Sequence, residues 1–253
     1  MLHRIELEPQ YLVTDTGTSD GTQIKYYNEK KWYKIDRYGG EGLCESLVSK
    51  ILELSEYDGK NFVHYDPIII NGEPGCVSND FLSEKERFIT LYRLHMNIIG
   101  TDPAVPTSKM DYDDAIEYII DFVRSSTGLD ITGYLADTFV LDALILNEDR
   151  HFNNLGIIFD GKEYRSAPIF DNGKSLFIGN SRYNRSKSIS ENKKNAFAKA
   201  FSGSFNLNRD HLSKYASLSP DIGKIKKYLK TKDLSVDNVY SRLYKLCENE
   251  FFC

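Results

Sequence analysis

Three oxygen-bearing side chains fall close together between residues 147 and 177. The segment reads Asn-Glu-Asp-Arg-His-Phe-Asn-Asn and, after a short connection, Pro-Ile-Phe-Asp-Asn-Gly-Lys-Ser-Leu-Phe. Asp149 is followed five residues later by Asn154, and Asp171 precedes Asn172 and Gly173. This is the spacing of a phosphoryl-transfer site built from an acceptor-orienting carboxylate and two metal ligands. A transferring phosphoryl group spreads negative charge over its oxygens, so catalysis is mostly positioning plus cationic stabilisation. The cation is usually Mg²⁺, which takes hard oxygen ligands and keeps positions for phosphate and water. Asn154 and Asp171 supply one amide and one carboxylate for it. Asp149 then stays available to accept a hydrogen bond from an acceptor hydroxyl.

Asn, Asp and Gly also crowd into surface turns for backbone reasons. The flanks argue for more than a turn. Residues 141–146, Leu-Asp-Ala-Leu-Ile-Leu, read as the end of a buried helix, and residues 155–159 and 167–170 as two short strands around a turn at Asp160-Gly161. Polar residues delivered from a helix end and from strand ends can converge in one cleft.

The pattern Asn-x-Asp-x-His-x-x-Asn followed by Pro-x-x-Asp-x-Gly resembles the HipA-type serine/threonine kinases, bacterial enzymes best known as toxins of toxin-antitoxin pairs. It is also similar to their shorter stand-alone relatives of the CtkA kind. The resemblance implies that Asp149 is the catalytic aspartate, that Asn154 and Asp171 bind Mg²⁺, and that His151 and Asn147 shape the loop. Arg150 falls between the Asp and the His, so the ordinary kinase order His-Arg-Asp is not kept.

Such a site needs a phosphate-covering loop and a lysine nearer the amino terminus. Residues 11–13 and 23–27 read as strands, and residues 15–22, Asp-Thr-Gly-Thr-Ser-Asp-Gly-Thr, as the polar turn between them. Backbone amides around Gly17, Thr18, Ser19, Gly21 and Thr22 can approach phosphates, although neither Gly-x-Gly-x-x-Gly nor a P-loop sequence is present. The resemblance further implies that a hydroxyl in this loop is autophosphorylated, with Thr18, Ser19 and Thr22 as candidates and Ser19 preferred for its place between the glycines. Residues 31–36 alternate so that Trp32, Lys34 and Asp36 share one face. Lys34 is the candidate phosphate-binding lysine, and Lys25 and Lys31 are expected to be ordinary surface lysines. After Gly39-Gly40 an apolar stripe at Leu43, Leu47, Val48, Ile51 and Leu52 predicts a helix. Glu45 near its start is the expected anionic partner of Lys34, with Glu41 the alternative.

Residues 62–70 and 75–82 read as further strands, the second leading into an interlobe hinge at 79–82. Helices are expected over 84–99, 113–128, 132–146, 221–230 and 235–248. A strand-rich first part followed by a helix-rich second gives an α+β, two-lobed, protein-kinase-like fold, divided as 1–82 and 83–253.

Composition bounds the rest. A chain of 253 residues that is 41% hydrophobic can bury the core of one such unit. No apolar run of membrane-spanning length and no signal-peptide apolar region is present, so a cytoplasmic protein is expected, with a secreted effector as the alternative. Cys44, Cys76, Cys247 and Cys253 are widely spaced, and His64, His95 and His211 have no partner at metal spacing, which argues against zinc. A net charge of −5 argues against a nucleic-acid-binding protein as a whole, and no membrane contact is expected. One basic stretch, from Arg182 to Lys199, is either a solvated face or a segment that receives an acidic substrate or phosphate.

These readings converge on an ATP- and Mg²⁺-dependent kinase acting on protein Ser or Thr. The resemblance implies a possible antitoxin partner, although by comparison with full-length HipA toxins the chain is expected to lack the amino-terminal subdomain through which they contact theirs. Two rivals remain: a small-molecule phosphotransferase of the aminoglycoside or choline kinase type, and a pseudokinase interaction module.

Overall fold

In the computed structural model the chain opens with a short strand, β1 (His3–Ile5), and a 3-10 turn at Pro9–Tyr11. The described residues are 2–14 and 23–248. Gly17, Thr18, Ser19, Gly21 and Thr22 therefore lie outside them, as does Cys253. Next come β2 (Lys25–Asn28), β3 (Lys31–Ile35), helix α1 (Glu41–Leu54), β4 (Tyr65–Ile70) and β5 (Glu73–Asn79). These strands form one sheet in the order β1-β4-β5-β3-β2, in which only β1 runs parallel to its neighbour.

A second sheet, β6-β7-β8, comprises β6 (Arg87–Thr90), β7 (Gly156–Phe159) and β8 (Tyr164–Ser166). Between β6 and β7 run the helices α2 (Leu91–Ile99), α3 (Ala104–Thr107), α4 (Tyr112–Thr127) and α5 (Thr132–Ile145). The carboxy-terminal helices are α6 (Ile189–Lys193), α7 (Phe205–Leu212), α8 (Ile222–Leu229) and α9 (Val239–Glu248). The architecture is thus α+β, with a strand-rich lobe followed by a helical one.

Local chemistry sets the ends of these elements. The Asp36 carboxylate accepts from the backbone N–H of Gly40 at 2.6 Å and of Gly42 at 2.7 Å, satisfying first-turn donors of α1. Thr90 caps α2 through Arg93 N, and Ser188 with Glu191 makes a capping box on α6. All residues from 135 to 145 except Val140 are buried, as the apolar end of α5 predicts.

Several expected elements differ. Residues 84–90 are not helical, because β6 pairs with β7 from Arg87 to Thr90 before α2 begins. Around Leu12 only a single bridge to Tyr26 forms in place of a strand over 11–13. The hairpin after β7 turns over four residues because the Asp160 carboxylate captures the N–H groups of Lys162 and Glu163. That turn puts β8 before residue 167, and Ile169 instead bridges Phe62 of the first lobe. Residues 62–64 precede β4, and α9 starts at Val239 rather than at 235.

The two lobes share a core. Leu47, Val48, Ile51 and Leu52 of α1 pack in one cluster with Leu141 and Leu144 of α5, Ile225 and Leu229 of α8, and Leu243 and Leu246 of α9. A second cluster lies among α2, α4 and α5. Cys44, Cys76 and Cys247 are free buried thiols.

Candidate active site

The alternation of β3 carries Trp32 and Lys34 to one face, and both line a cavity of about 540 Å³ between the lobes. Tyr27 and Trp32 pack with ring centroids 4.8 Å apart on the first lobe. Phe81, Phe88 and Phe170 form an aromatic group, with centroids 5.5 Å apart for Phe88 and Phe170, on the other side. Asp80, Phe81 and Leu82 line the cavity, and Ser83, Glu84 and Glu86 extend that wall. Tyr27 Oη donates to Asp80 Oδ2 at 2.9 Å across it.

Lys34 is the centre of the charge arrangement. Its ammonium lies 2.9 Å from Asp171 Oδ1 and 3.4 Å from Glu45 Oε1, and it is only 8% exposed. Burial opposes its charge, but Asp171, Tyr65 and Glu45 outweigh that and hold its pKa well above the ordinary lysine value. Burial pushes the Asp171 carboxyl up, and the ammonium groups of Lys34 and Lys25 overcome this to hold it well below the usual carboxylate range. Glu45 stays above its ordinary value because burial exceeds the help from Lys34. Glu45 Oε2 also accepts from the backbone N–H of Asn172 at 2.9 Å, so one carboxylate joins the lysine strand to the Asp171 segment.

Glu45 is therefore the partner of Lys34, and Glu41 is not. Glu41 Oε1 accepts from Arg37 N and Tyr38 N, while its other oxygen is buried without a protein partner. The close approach of α1 to the sheet makes the Glu45 contact possible. A Cβ on Gly42 would sit 2.4 Å from the carbonyl of Gly75, and one on Gly75 2.2 Å from that of Lys34.

Lys25 corrects the expectation of an ordinary surface lysine. It pairs directly with Lys34 across the β2–β3 hairpin and lines the same cavity. Burial, then repulsion from Lys34, lowers its pKa. Lys31, by contrast, is exposed.

The catalytic-loop candidates are joined by local hydrogen bonds. Leu146 leaves α5 with φ of +51°, and Asn147 Oδ1 accepts from Asp149 N at 3.0 Å. The Asp149 carbonyl accepts from His151 N at 2.8 Å and from Asn154 Nδ2 at 2.9 Å. Burial holds the His151 imidazole below its ordinary pKa, so it is neutral near pH 7. Asn154 Oδ1 is left buried without a protein partner, which fits a metal ligand. Asp171 has φ of +60°, a sparsely populated conformation found at functional sites. An amide and a carboxylate oxygen suit Mg²⁺. Among the described residues no three His, Cys, Asp or Glu side chains are grouped to hold a metal by themselves.

Sequence reasoning passed over the residue that joins these parts. Arg150 is 1% exposed, and its guanidinium donates to the Asp142 carboxylate, to the carbonyls of Asn154 and Phe170, and to Asn172 Oδ1. One side chain thus ties the end of α5, the Asn154 turn and the Asp171 segment. The available signal was an acid, Asp142, inside an otherwise apolar helix end.

No protein-family model matches the sequence, and no curated protein matches it either. Solved structures do match by shape. The crystal structure of a Helicobacter pylori proinflammatory kinase, CtkA, superposes with a TM-score of 0.61 at 16% identity, covering 90% of this chain and 89% of that one. HipA of Shewanella oneidensis MR-1, from its complex with HipB and operator DNA, gives a TM-score of 0.51 at 11% identity. That match covers 90% of this chain but only 64% of the HipA chain. Lys34 and Asp171 line one interlobe cavity, and the chain has the fold of the CtkA and HipA kinases.

Proposed function

We propose that this chain is an ATP- and Mg²⁺-dependent protein kinase of HipA-like type that phosphorylates Ser or Thr. The observation that carries the reading is Lys34, buried in the cavity wall and paired with both Glu45 and Asp171. A decaying nucleotide site has no use for a buried lysine with two carboxylates, and desolvating the three without a ligand to serve is costly.

In this reading residues 1–82 cover the nucleotide and 83–253 carry the catalytic loop. The aromatic walls take the adenine, and Lys34 and Lys25 meet the phosphates. Asn154 and Asp171 would hold Mg²⁺, which when bound neutralises phosphate charge. Asp149 orients the acceptor hydroxyl and accepts its proton. Asn147, His151 and Arg150 hold the loop that presents it. Gly17, Thr18, Ser19, Gly21 and Thr22 would cover the phosphates, and Ser19 is the expected self-phosphorylation site.

Incubating the purified chain with labelled ATP, Mg²⁺ and a protein mixture tests the assignment. Label should enter protein at Ser or Thr, and Asp149→Asn should abolish it. Label confined to small molecules would favour a metabolite kinase, and none at all a pseudokinase. The Shewanella neighbour was solved with HipB and operator DNA, and an antitoxin partner for this chain is testable by co-purification. No helix among the described residues is long and apolar enough to cross a membrane; action in the cytoplasm, where ATP and Mg²⁺ are available, belongs to the same proposal.

A further inference from the structure

Two ammonium groups already sit on Asp149: Lys199 Nζ lies 2.6 Å from Oδ1 and Lys174 Nζ 3.0 Å from Oδ2. Neither lysine lines the large cavity, whose own cations are Lys25, Lys30, Lys34 and Arg87. Lys174 instead lines a smaller pocket with Asp149, Asp171 and Glu45, so the two lysines flank the carboxylate outside the large cavity. The half-buried neighbour Glu148 fixes the chain beside them in place. Its Oε1 accepts from Phe197 N at 3.1 Å and its Oε2 from Asn180 Nδ2 at 2.8 Å. Asn180 Oδ1 in turn accepts from Arg182 N at 2.8 Å, and the Arg182 guanidinium stacks 5.3 Å over the exposed Phe197 ring. The residue next to the catalytic aspartate thus anchors a lip of Lys174, Arg182 and Lys199 beside an exposed aromatic ring.

A chain of net charge −5 concentrates cations here, beside the carboxylate that an acceptor hydroxyl must reach. While both lysines hold Asp149, its oxygens are poorly available to a hydroxyl. Resting on the kinase reading, we propose that the acceptor is an acidic protein segment, a Ser or Thr flanked by Asp or Glu. Its carboxylates draw Lys199 and Lys174 away and settle against Arg182, unmasking Asp149. The hydroxyl oxygen then bonds to the γ-phosphorus as the bond from that phosphorus to the β–γ bridging oxygen breaks. ADP departs with that electron pair, and the hydroxyl proton passes to Asp149.

Three peptides of equal length, each with one Ser flanked by Glu, by Gln or by Lys, test this with the full chain, ATP and Mg²⁺. The Glu peptide should show a KM about tenfold below that of the Gln peptide, and the difference should shrink as salt is raised. Arg182→Glu should cancel the preference, with the loss falling on the KM of the peptide rather than that of ATP, and with an unchanged melting temperature. Equal KM values for the three peptides, or an undiminished preference in Arg182→Glu, overturn the proposal. Fluorescence anisotropy of the labelled Glu peptide reads the same surface without turnover. Salt-sensitive binding that Arg182→Glu removes, in a chain that transfers no phosphate, would end the kinase reading and leave the acidic-segment surface standing. Absence of such binding ends the surface.

Discussion

Lys34 neutralises one charge while Glu45 and Asp171 bring two, so the site is electrically incomplete until further cations arrive. Lys25 supplies part of this and Mg²⁺ would supply the rest. Asp171→Asn is therefore expected to lose nearly all phosphoryl transfer while keeping its fold, which labelled-ATP assays and circular dichroism would check. Because the Asp171 pKa is depressed in the folded state, its ion pair contributes stability above the unfolded value of about 3.9 and loses it as pH falls through the folded value. Urea unfolding below pH 4 should accordingly weaken the wild type more steeply than Asp171→Asn. Lys34→Ala, Glu45→Ala and their double replacement should cost similar amounts of kcat/KM, since the pair acts as a unit, whereas additive losses would separate them. Lys25→Ala should raise the KM for ATP several-fold, while Lys31→Ala should not. The fixed intervals of Asp149, Asn154 and Asp171 could be read in the sequence as a candidate site. Lys25 was not, because the hairpin register that sets it beside Lys34 turns through Glu29 and Lys30 at φ of +50° and +58°, with none of the glycines that announce such a turn.

At the scale of elements, the site depends on what holds α1, α5 and the Asp171 segment together. Arg150→Met would strand the Asp142 carboxylate, which is 4% exposed, and should destabilise the protein by about 3–5 kcal/mol. Adding Asp142→Leu should restore much of the stability in urea titrations without restoring transfer, because the tethers to the Asn154 and Phe170 carbonyls stay lost. Recovery of activity in that double variant would reduce Arg150 to a charge partner. Gly42→Ala should push α1 off β5 at a cost of about 1–3 kcal/mol and lower activity with it, since Glu45 rides on that helix. The largely buried helix α5 and the lysine strand β3 could be read from hydrophobic pattern alone. The boundary at residue 90 could not, because Phe88 and Ile89 continue the apolar period of α2 while pairing with β7 some seventy residues later.

For the whole molecule, Mg²⁺ and ATP together at about one hundred times Kd should raise the melting temperature by about 5–10 °C. Asp171→Asn should lose the Mg²⁺-dependent part of that rise. The two-lobed α+β outline was legible because strand and helix signals segregate along the chain. That the lobes share apolar packing was not, since the stripe on α1 does not say which helices it meets. The packing decides where a control device can reside. Leu47, Ile51 and Leu52 wedge α1 among α5, α8 and α9, so rotating that helix to part Glu45 from Lys34 would open a void in the largest apolar cluster. The lysine–glutamate contact is consequently a permanent fixture of the resting protein rather than a toggle. Any on–off decision has to be made outside that packing, by what arrives at Lys174 and Lys199.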